Sequence, residues 1–480
     1  MMTSPDNEEL YQHLSFPLPY RVLVLVGLGI LGWATNLHGL DVSGVDTIAA
    51  MDLRTDTGLA KPVMPVHHSA AFNHLRVVDL YHAAYRLFSL YSFSCFLSWS
   101  FYRLVTQGDP ARVDSYGYIP VITTLAIIIV LLCPYDIFLR HEREKFTLGI
   151  RRCIFPAPNG PIYFSDVVLA DIGTSFAKVF GDIWQSLWML KPGNSILVPP
   201  VHDNWMRWIL PTVMSFPFFI RFRQCLIEYN MPGNESRRPL FNALKYATSF
   251  PVIYLSAAQR LVIVDLMKER GKKLAGEVWH GEHPLFRLWL LAAVVNSLYS
   301  FWWDVTNDWG LDLMKFEPST NHERQPPQPL LLARLHSGTP LIRRYPDSLS
   351  EEEDRHAGQA HDLLKHRYRQ SCYGLRSVLL YPRMIYPALI FLNLLLRMTW
   401  SVKLSPHVNL TRDGTVAFFW LEVAEVVRRW LWVFVRVEWE VVKKIEERNP
   451  ANYLDDRSGD EGEYEMIPAT PDLSERNPTL

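Results

Sequence analysis

Residues Phe418–Glu438 read FFWLEVAEVVRRWLWVFVRVE, a run long and apolar enough to cross a bilayer, yet charged where lipid would forbid it. Glu425, Arg428 and Arg429 lie three and four positions apart, so they share one helical face, which Trp432 and Arg436 continue. A charged side chain at mid-bilayer costs about 2.5–3.5 kcal/mol on insertion scales, so an arginine pair there must face protein, water or a ligand. Two adjacent guanidinium groups inside a membrane bundle point to an anion.

Outward from this stretch the same pattern repeats. Of 480 residues 49% are hydrophobic and 13% aromatic, while the mean hydropathy is only +0.01, because long apolar runs alternate with polar connections. Nine runs are predicted to span, at roughly 20–38, 84–105, 117–138, 163–190, 205–228, 240–264, 284–304, 379–402 and 415–437. A tenth within 48–83 stays open. The expected fold is therefore an all-α, polytopic integral membrane helical bundle of nine or ten spans. It is organised as a short polar segment (1–19), N-terminal transmembrane helices (20–158), a transmembrane domain (159–445) with a polar insertion at 310–374, and an acidic disordered tail (446–480). The lipid bilayer is thus an expected partner. The net charge of −1 says nothing about partners, and no nucleic-acid partner is expected. Five scattered cysteines form no CxxC pair and suit neither a disulfide framework nor a zinc site.

Basic residues orient the chain. Arg140, Arg143, Lys145, Arg151 and Arg152 fill one connection, and Arg221, Arg223, Arg237, Arg238 and Lys245 cluster around another two spans later. Both read as cytosolic under the positive-inside rule. The insertion and the tail then also face the cytosol. Asn409, in the sequon Asn-Leu-Thr, faces the lumen as a glycosylation candidate, whereas the sequon at Asn234 falls on the wrong side.

Further charges interrupt the other runs. LADIGTSFAKVFGD places Asp171, Ser175, Lys178 and Asp182 at offsets of 0, 4, 7 and 11, a single polar stripe. Either it lines an aqueous path or it forms an internal ion-pair ladder. FWWDVTNDWGL sets Asp304 and Asp308 four apart, as interfacial acids beside the tryptophans or as counter-charges to a basic site. Lys245 opens an apolar run, where a lysine can snorkel. Arg397 lies deep within its run, with Trp400 one turn on, and Arg207 and Arg221 bracket another. Guanidinium forks match phosphate or carboxylate and are weakly hydrated, so a buried anion site favours them. Carboxylates nearby keep such a site close to neutral when empty. His67, His68, His74 and His82 lack accompanying carboxylates, so no metal site is expected. Neither a catalytic triad, a Gly-rich phosphate loop nor an HExxH motif occurs, so no catalytic residue and no cofactor is expected.

Four motifs in order, IRFRQCLIEYN (220–230), RPLFNALKYATSFPVI (238–253), WWDVTNDWGL (302–311) and LEVAEVVRRWLWVFVRVEWE (421–440), resemble the EXS domain family over about 160–445. The best-understood members are phosphate exporters. The resemblance implies that Lys245, Arg397, Arg428 and Arg429 bind inorganic phosphate. It implies that Asp171, Asp304, Asp308, Trp400 and Glu425 line or gate its path, and Lys178, on the polar stripe with Asp171, is expected to join them. The family's second-helix arginine has no clear counterpart, Arg207 being nearest but out of register. Long members begin with a lysine-rich SPX domain, and only residues 1–19 precede the first span here, so regulation through that domain is not expected. The short architecture is similar to the ER-retention branch. That similarity implies a Golgi membrane protein returning luminal phosphate to the cytosol, in support of glycosylation and of retention of ER and Golgi proteins. A non-transporting adaptor that recycles Golgi glycosyltransferases, or meets vesicle coat components, is the alternative. Removing cytosolic segments would disable the adaptor, whereas removing the buried arginines would disable the transporter.

Overall fold

The computed structural model describes residues 14–53, 77–133, 135, 139–157, 160–189, 191, 204–270, 284–311, 328–329, 375–376, 378–403 and 416–448. Among these the chain is a helical bundle. Its elements are α1 (Leu18–Val42), α2 (Thr47–Ala50), α3 (Val77–Thr106), α4 (Pro110–Ser115), α5 (Tyr118–Leu132) and α6 (Arg140–Ile154). After these come α7 (Phe164–Ser175), α8 (Ala177–Met189), a 3-10 turn (Asn204–Trp208), α9 (Ile209–Tyr229), α10 (Arg238–Ala247) and α11 (Ser249–Arg270). The last are α12 (Pro284–Trp303) with a π turn (Asp304–Asp308), α13 (Ile385–Lys403) and α14 (Val416–Arg448). The only sheet among the described residues is a two-residue parallel pairing of β1 (Gln328–Pro329) with β2 (Val378–Leu379).

Each of the nine expected runs contains a helix among the described residues. Three helical stretches, Leu18–Val42, Pro110–Leu132 and Pro284–Asp308, are long and apolar enough to cross a membrane by length and composition, and Ile385–Met398 is a shorter apolar helix. The other runs either carry interior charge or are broken midway. The helix over 163–190 breaks at Phe176, that over 240–264 breaks at Thr248, and that over 284–304 runs into the π turn. Such breaks leave backbone groups that lipid cannot satisfy, so they are tolerated only inside protein or beside a water-filled cavity.

The distribution of residues is that of a membrane bundle, polar within and apolar without. On α12 the buried face is Trp289, Ala293, Asn296, Ser297 and Ser300, while Leu288, Leu291, Val295 and Leu298 are exposed. On α5 and α3, Ile122, Leu125, Ile129, Phe93, Phe96 and Phe101 are likewise exposed. A belt of this extent would be an aggregation hazard in water and is the expected surface in lipid.

The last helix, α14, organises the interior. Its 33 residues span about 50 Å. Val433, Val435 and Val437 enter a core with Leu40 of α1, Val168 of α7 and Tyr386 of α13. A second core joins α9, α10, α11 and α12 around Phe218, Tyr246 and Trp289. The charged site lies between these two groups.

The basic connection 140–152, read from the sequence as a loop, is the helix α6. Arg143 donates to the carbonyls of Cys133 (2.7 Å) and Tyr135 (3.0 Å), just beyond the C-terminal end of α5. Arg152 grips Asp166 in the first turn of α7 with two hydrogen bonds (2.8 and 2.9 Å). Arg223 donates to the last carbonyl of α6, that of Ile154 (2.9 Å). The arginines of this connection therefore serve as helix caps and clamps as well as topology signals.

Candidate functional site: a buried charge cluster around a cavity

Three helix breaks and α14 meet at one level of the bundle. The break after Ser175 presents the end of α7, the break at Thr248 presents the end of α10, and the π turn closes α12. Each brings a polar side chain inward without having to cross a packed helix.

Asp171, on α7, accepts from Nε of Arg221 (2.9 Å) and from the hydroxyl of Tyr246. Arg221 also donates from Nη1 to Gln224 (2.7 Å). Lys245, at the end of α10, donates to both Asp304 (2.9 Å) and Asp308 (2.8 Å). Asp304 is completely buried and also accepts from Arg397 and from Asn393 (3.3 Å). On α14, Arg428 holds Glu425 in a fork, Nε to Oε2 at 2.9 Å and Nη2 to Oε1 at 2.6 Å. The same guanidinium lies 3.8 Å from Asp304 and donates to Asn393 (3.3 Å).

Arg429 differs from all of these. It is 6% exposed and makes only neutral hydrogen bonds, to Ser175 (2.9 Å) and Thr174 (3.0 Å), the guanidinium lying 4.5 Å from the centre of the Trp432 ring. No ion pair to a carboxylate forms at Arg429 among the described residues, and its Nη1 is buried without a hydrogen-bond partner. Nε of Arg397 is likewise buried and unpaired. A buried donor without an acceptor costs about 1–3 kcal/mol, more when it is charged. Among the described residues the cluster holds five cations (Arg221, Lys245, Arg397, Arg428, Arg429) against four carboxylates (Asp171, Asp304, Asp308, Glu425), a surplus of one positive charge.

Four of the five cations line a small cavity: Lys245, Arg397, Arg428 and Arg429, together with Glu425, Thr174, Ser249, Asn296 and Ser300. The carboxylates divide in two. Asp171, Asp304 and Asp308 stand behind the basic side chains, and Glu425 alone among the acids is part of the lining. A chamber with fixed cations, hydroxyl donors and one carboxylate can desolvate and hold a small oxyanion.

Eight of the residues singled out from the sequence thus converge: Asp171, Lys245, Asp304, Asp308, Arg397, Glu425, Arg428 and Arg429. The stripe on 171–182 does not stay whole. Its first half joins the cluster, while Lys178 pairs with Asp182 one helical turn apart and lies outside the cavity lining. Trp400 belongs to α13, with its side chain outside the described residues, and Asn409, His67, His68 and His74 also lie outside them. Arg207 sits in the 3-10 turn; the buried arginine of the second helix is Arg221. Sequence reading left Arg221 as a residue at the end of a run. The signal for it was indirect: Asp171, buried one helix earlier, requires a cation, and Arg221 follows Pro217 by one turn. Tyr246, Asn296, Ser300 and Asn393 were missed because single uncharged polar residues in an apolar run have no distinguishing spacing. No group of three or more metal-ligating side chains occurs among the described residues.

Comparison with known proteins gives a consistent picture. The model of the EXS family matches residues 16–442, so the match includes α1 to α6. Protein ERD1 homolog 1 of Schizosaccharomyces pombe is 26% identical over 438 residues, 90% of this chain and 92% of that protein. Protein ERD1 of Saccharomyces cerevisiae is 25% identical over 325 residues, covering 65% and 76%. The Xenotropic and polytropic retrovirus receptor 1 homolog of Xenopus laevis is 24% identical over 333 residues, 66% of this chain and 38% of that protein.

Proposed function

The chain belongs to the EXS family, and from that premise we propose that it is a transporter of inorganic phosphate in the Golgi membrane, returning luminal phosphate to the cytosol. The observation that carries this reading is Arg429, a buried guanidinium with no direct ion pair to a carboxylate among the described residues and an unpaired Nη1, beside a cavity whose charge cluster has one surplus positive charge. An internal ion-pair lattice serving only stability would close its charges. This one leaves a positive charge and an unpaired donor for an anion.

In this reading Arg397, Arg428 and Arg429 replace the water around the anion with fixed donors, and Lys245, also in the lining, adds a fourth cation. Asp304 holds Lys245 and Arg397 in place and limits the cost of keeping them unhydrated when the cavity is empty. The helix breaks provide places where small backbone changes could open the chamber to either side. Extensive similarity to ERD1 proteins supports a membrane protein of the secretory pathway, and the phosphate and Golgi assignments extend the family resemblance to this chain. Glycosyltransferases and coat components are then indirect beneficiaries rather than ligands, and transport requires neither cofactor nor bond chemistry at the site.

Reconstitution tests this directly. Purified protein in liposomes is expected to pass radiolabelled phosphate down its gradient, with flux falling at least about tenfold in Arg429→Ala, the loss of one charge-assisted contact. Folded wild type that moves no phosphate above empty liposomes, under varied gradients and pH, would reject the transporter and leave the adaptor.

A further inference from the structure

The anion site as described does not explain how phosphate would be told from sulfate, since both are tetrahedral and both fit guanidinium forks. They differ chemically in one respect. Near neutral pH phosphate carries one or two P–OH groups and so can donate a hydrogen bond, whereas sulfate is a dianion with acceptors only. A cavity that presents only donors accepts both ions. A cavity that also presents an ionised carboxylate penalises the ion that cannot donate to it.

Glu425 is the carboxylate in that position. It lines the cavity, whereas Asp171, Asp304 and Asp308 do not. Arg428 occupies one acceptor site on each of its oxygens, at 2.9 and 2.6 Å. A carboxylate offers about four such sites, so about two remain. The other acceptor suited to the task, Oδ1 of Asn296, already takes hydrogen bonds from Thr248 (2.8 Å) and Ser249 (3.1 Å). The lining hydroxyls of Ser249 and Ser300 can donate or accept and do not discriminate. The charge count adds a second criterion, since a cluster with one surplus positive charge is neutralised by a monoanion and over-filled by a dianion.

We propose that Glu425 is a specificity-determining residue that accepts a hydrogen bond from the protonated oxygen of the anion, so that the cavity takes dihydrogen phosphate and excludes sulfate. This rests on the phosphate-transport reading and adds the ionic form taken and the group that selects it. Arg428 then has a second duty: its fork holds the Glu425 carboxylate in place at the cavity lining.

The test is competition against radiolabelled phosphate in proteoliposomes with four unlabelled oxyanions: phosphate, arsenate, sulfate and selenate. Arsenate and selenate are close in size, but only arsenate keeps a hydroxyl near neutral pH. Arsenate is expected to compete nearly as well as phosphate, while sulfate and selenate compete roughly tenfold more weakly or worse, the worth of one hydrogen bond to a charged group. Phosphate affinity, counted per total phosphate, is expected to rise as pH falls through the second ionisation of phosphate.

In Glu425→Gln the amide can donate to sulfate and the cluster gains a second surplus charge, so the sulfate penalty is expected to shrink. Equal competition by all four ions in wild type would overturn this proposal while leaving phosphate transport intact. Undiminished exclusion of sulfate by Glu425→Gln would overturn the role of Glu425. No phosphate flux in wild type would instead sink the transport reading on which both depend. Should Glu425→Gln fail to fold, the arsenate–selenate comparison in wild type still decides, as does thermal stabilisation of the wild-type protein by each ion.

Discussion

Arg428 and Arg429 are neighbours in sequence and opposites in circumstance. Arg428 neutralises Glu425 through a fork, so Arg428→Ala leaves a buried carboxylate uncompensated. Breaking such a pair costs about 3–5 kcal/mol, and the variant is expected to lose yield and thermal stability in detergent. Arg429 makes no direct ion pair with a carboxylate among the described residues, so Arg429→Ala is expected to lose less thermal stability than Arg428→Ala and yet lose flux. Equal thermal losses in the two variants would contradict that assignment. The Asp171–Arg221 pair allows a sharper test of the same physics. Arg221→Met or Asp171→Asn alone should each destabilise by about 3–5 kcal/mol, while the double variant should recover most of that loss, because the cost lies in the stranded charge. A thermal-melt double-mutant cycle with additive losses would mean that the two side chains are not coupled.

Among the elements, the breaks and close approaches carry the architecture. In the π turn the N–H of Trp309 reaches the carbonyl of Asp304 (2.9 Å), and the widened turn lets both Asp304 and Asp308 reach Lys245. The chain leaves that turn through Gly310, whose φ of +61° and contact with the Trp439 ring, 2.4 Å from where a Cβ would sit, admit no side chain. Where α1 crosses α14, a Cβ on Gly39 would lie 2.8 Å from the ring of Phe434. Close helix approach at small residues is how membrane helices gain contact without a hydrophobic drive. Gly39→Val is therefore expected to cost about 1–3 kcal/mol by overpacking, and Phe434→Leu in the same chain should restore part of it. Detergent thermal melts of the single and double variants check this, and a Gly39→Val protein as stable as wild type would refute the crossing.

For the whole molecule the decisive property is sidedness. The positive-inside rule predicts that the basic helix α6 and the start of α10, with Arg237 and Arg238, face the cytosol. Single cysteines at exposed Glu144 and Glu235, in a chain cleared of its native cysteines, are thus expected to react with an impermeant maleimide from the outside of sealed Golgi vesicles. Asn409 is expected to carry a glycan removable by glycosidase. Labelling of position 144 only after the vesicles are opened would invert the orientation, and with it the direction of phosphate return.

The residues and the bundle were not equally legible in the sequence. Apolar runs of spanning length dictate helices in lipid whatever their neighbours do, because lipid satisfies no backbone group. The nine helical runs and their all-α class were therefore readable one run at a time. So were eight of the nine charged members of the cluster, all but Arg221, since a charge deep within a span is driven to the interior. Pairing was not readable. That Arg221 rather than Arg207 meets Asp171, that Lys178 turns away to Asp182, and that Lys245 bridges two acids all depend on which helices lie side by side. Nor does spacing reveal that Arg429 is the cation left over, or that Glu425 is the one acid lining the cavity. Sequence sets which charges must be buried, because transfer to lipid is a property of each residue alone. Tertiary structure alone decides which charge neutralises which, because Coulomb attraction and hydrogen bonding depend on distances between residues as far apart in sequence as Lys444 and Asp52, 392 positions.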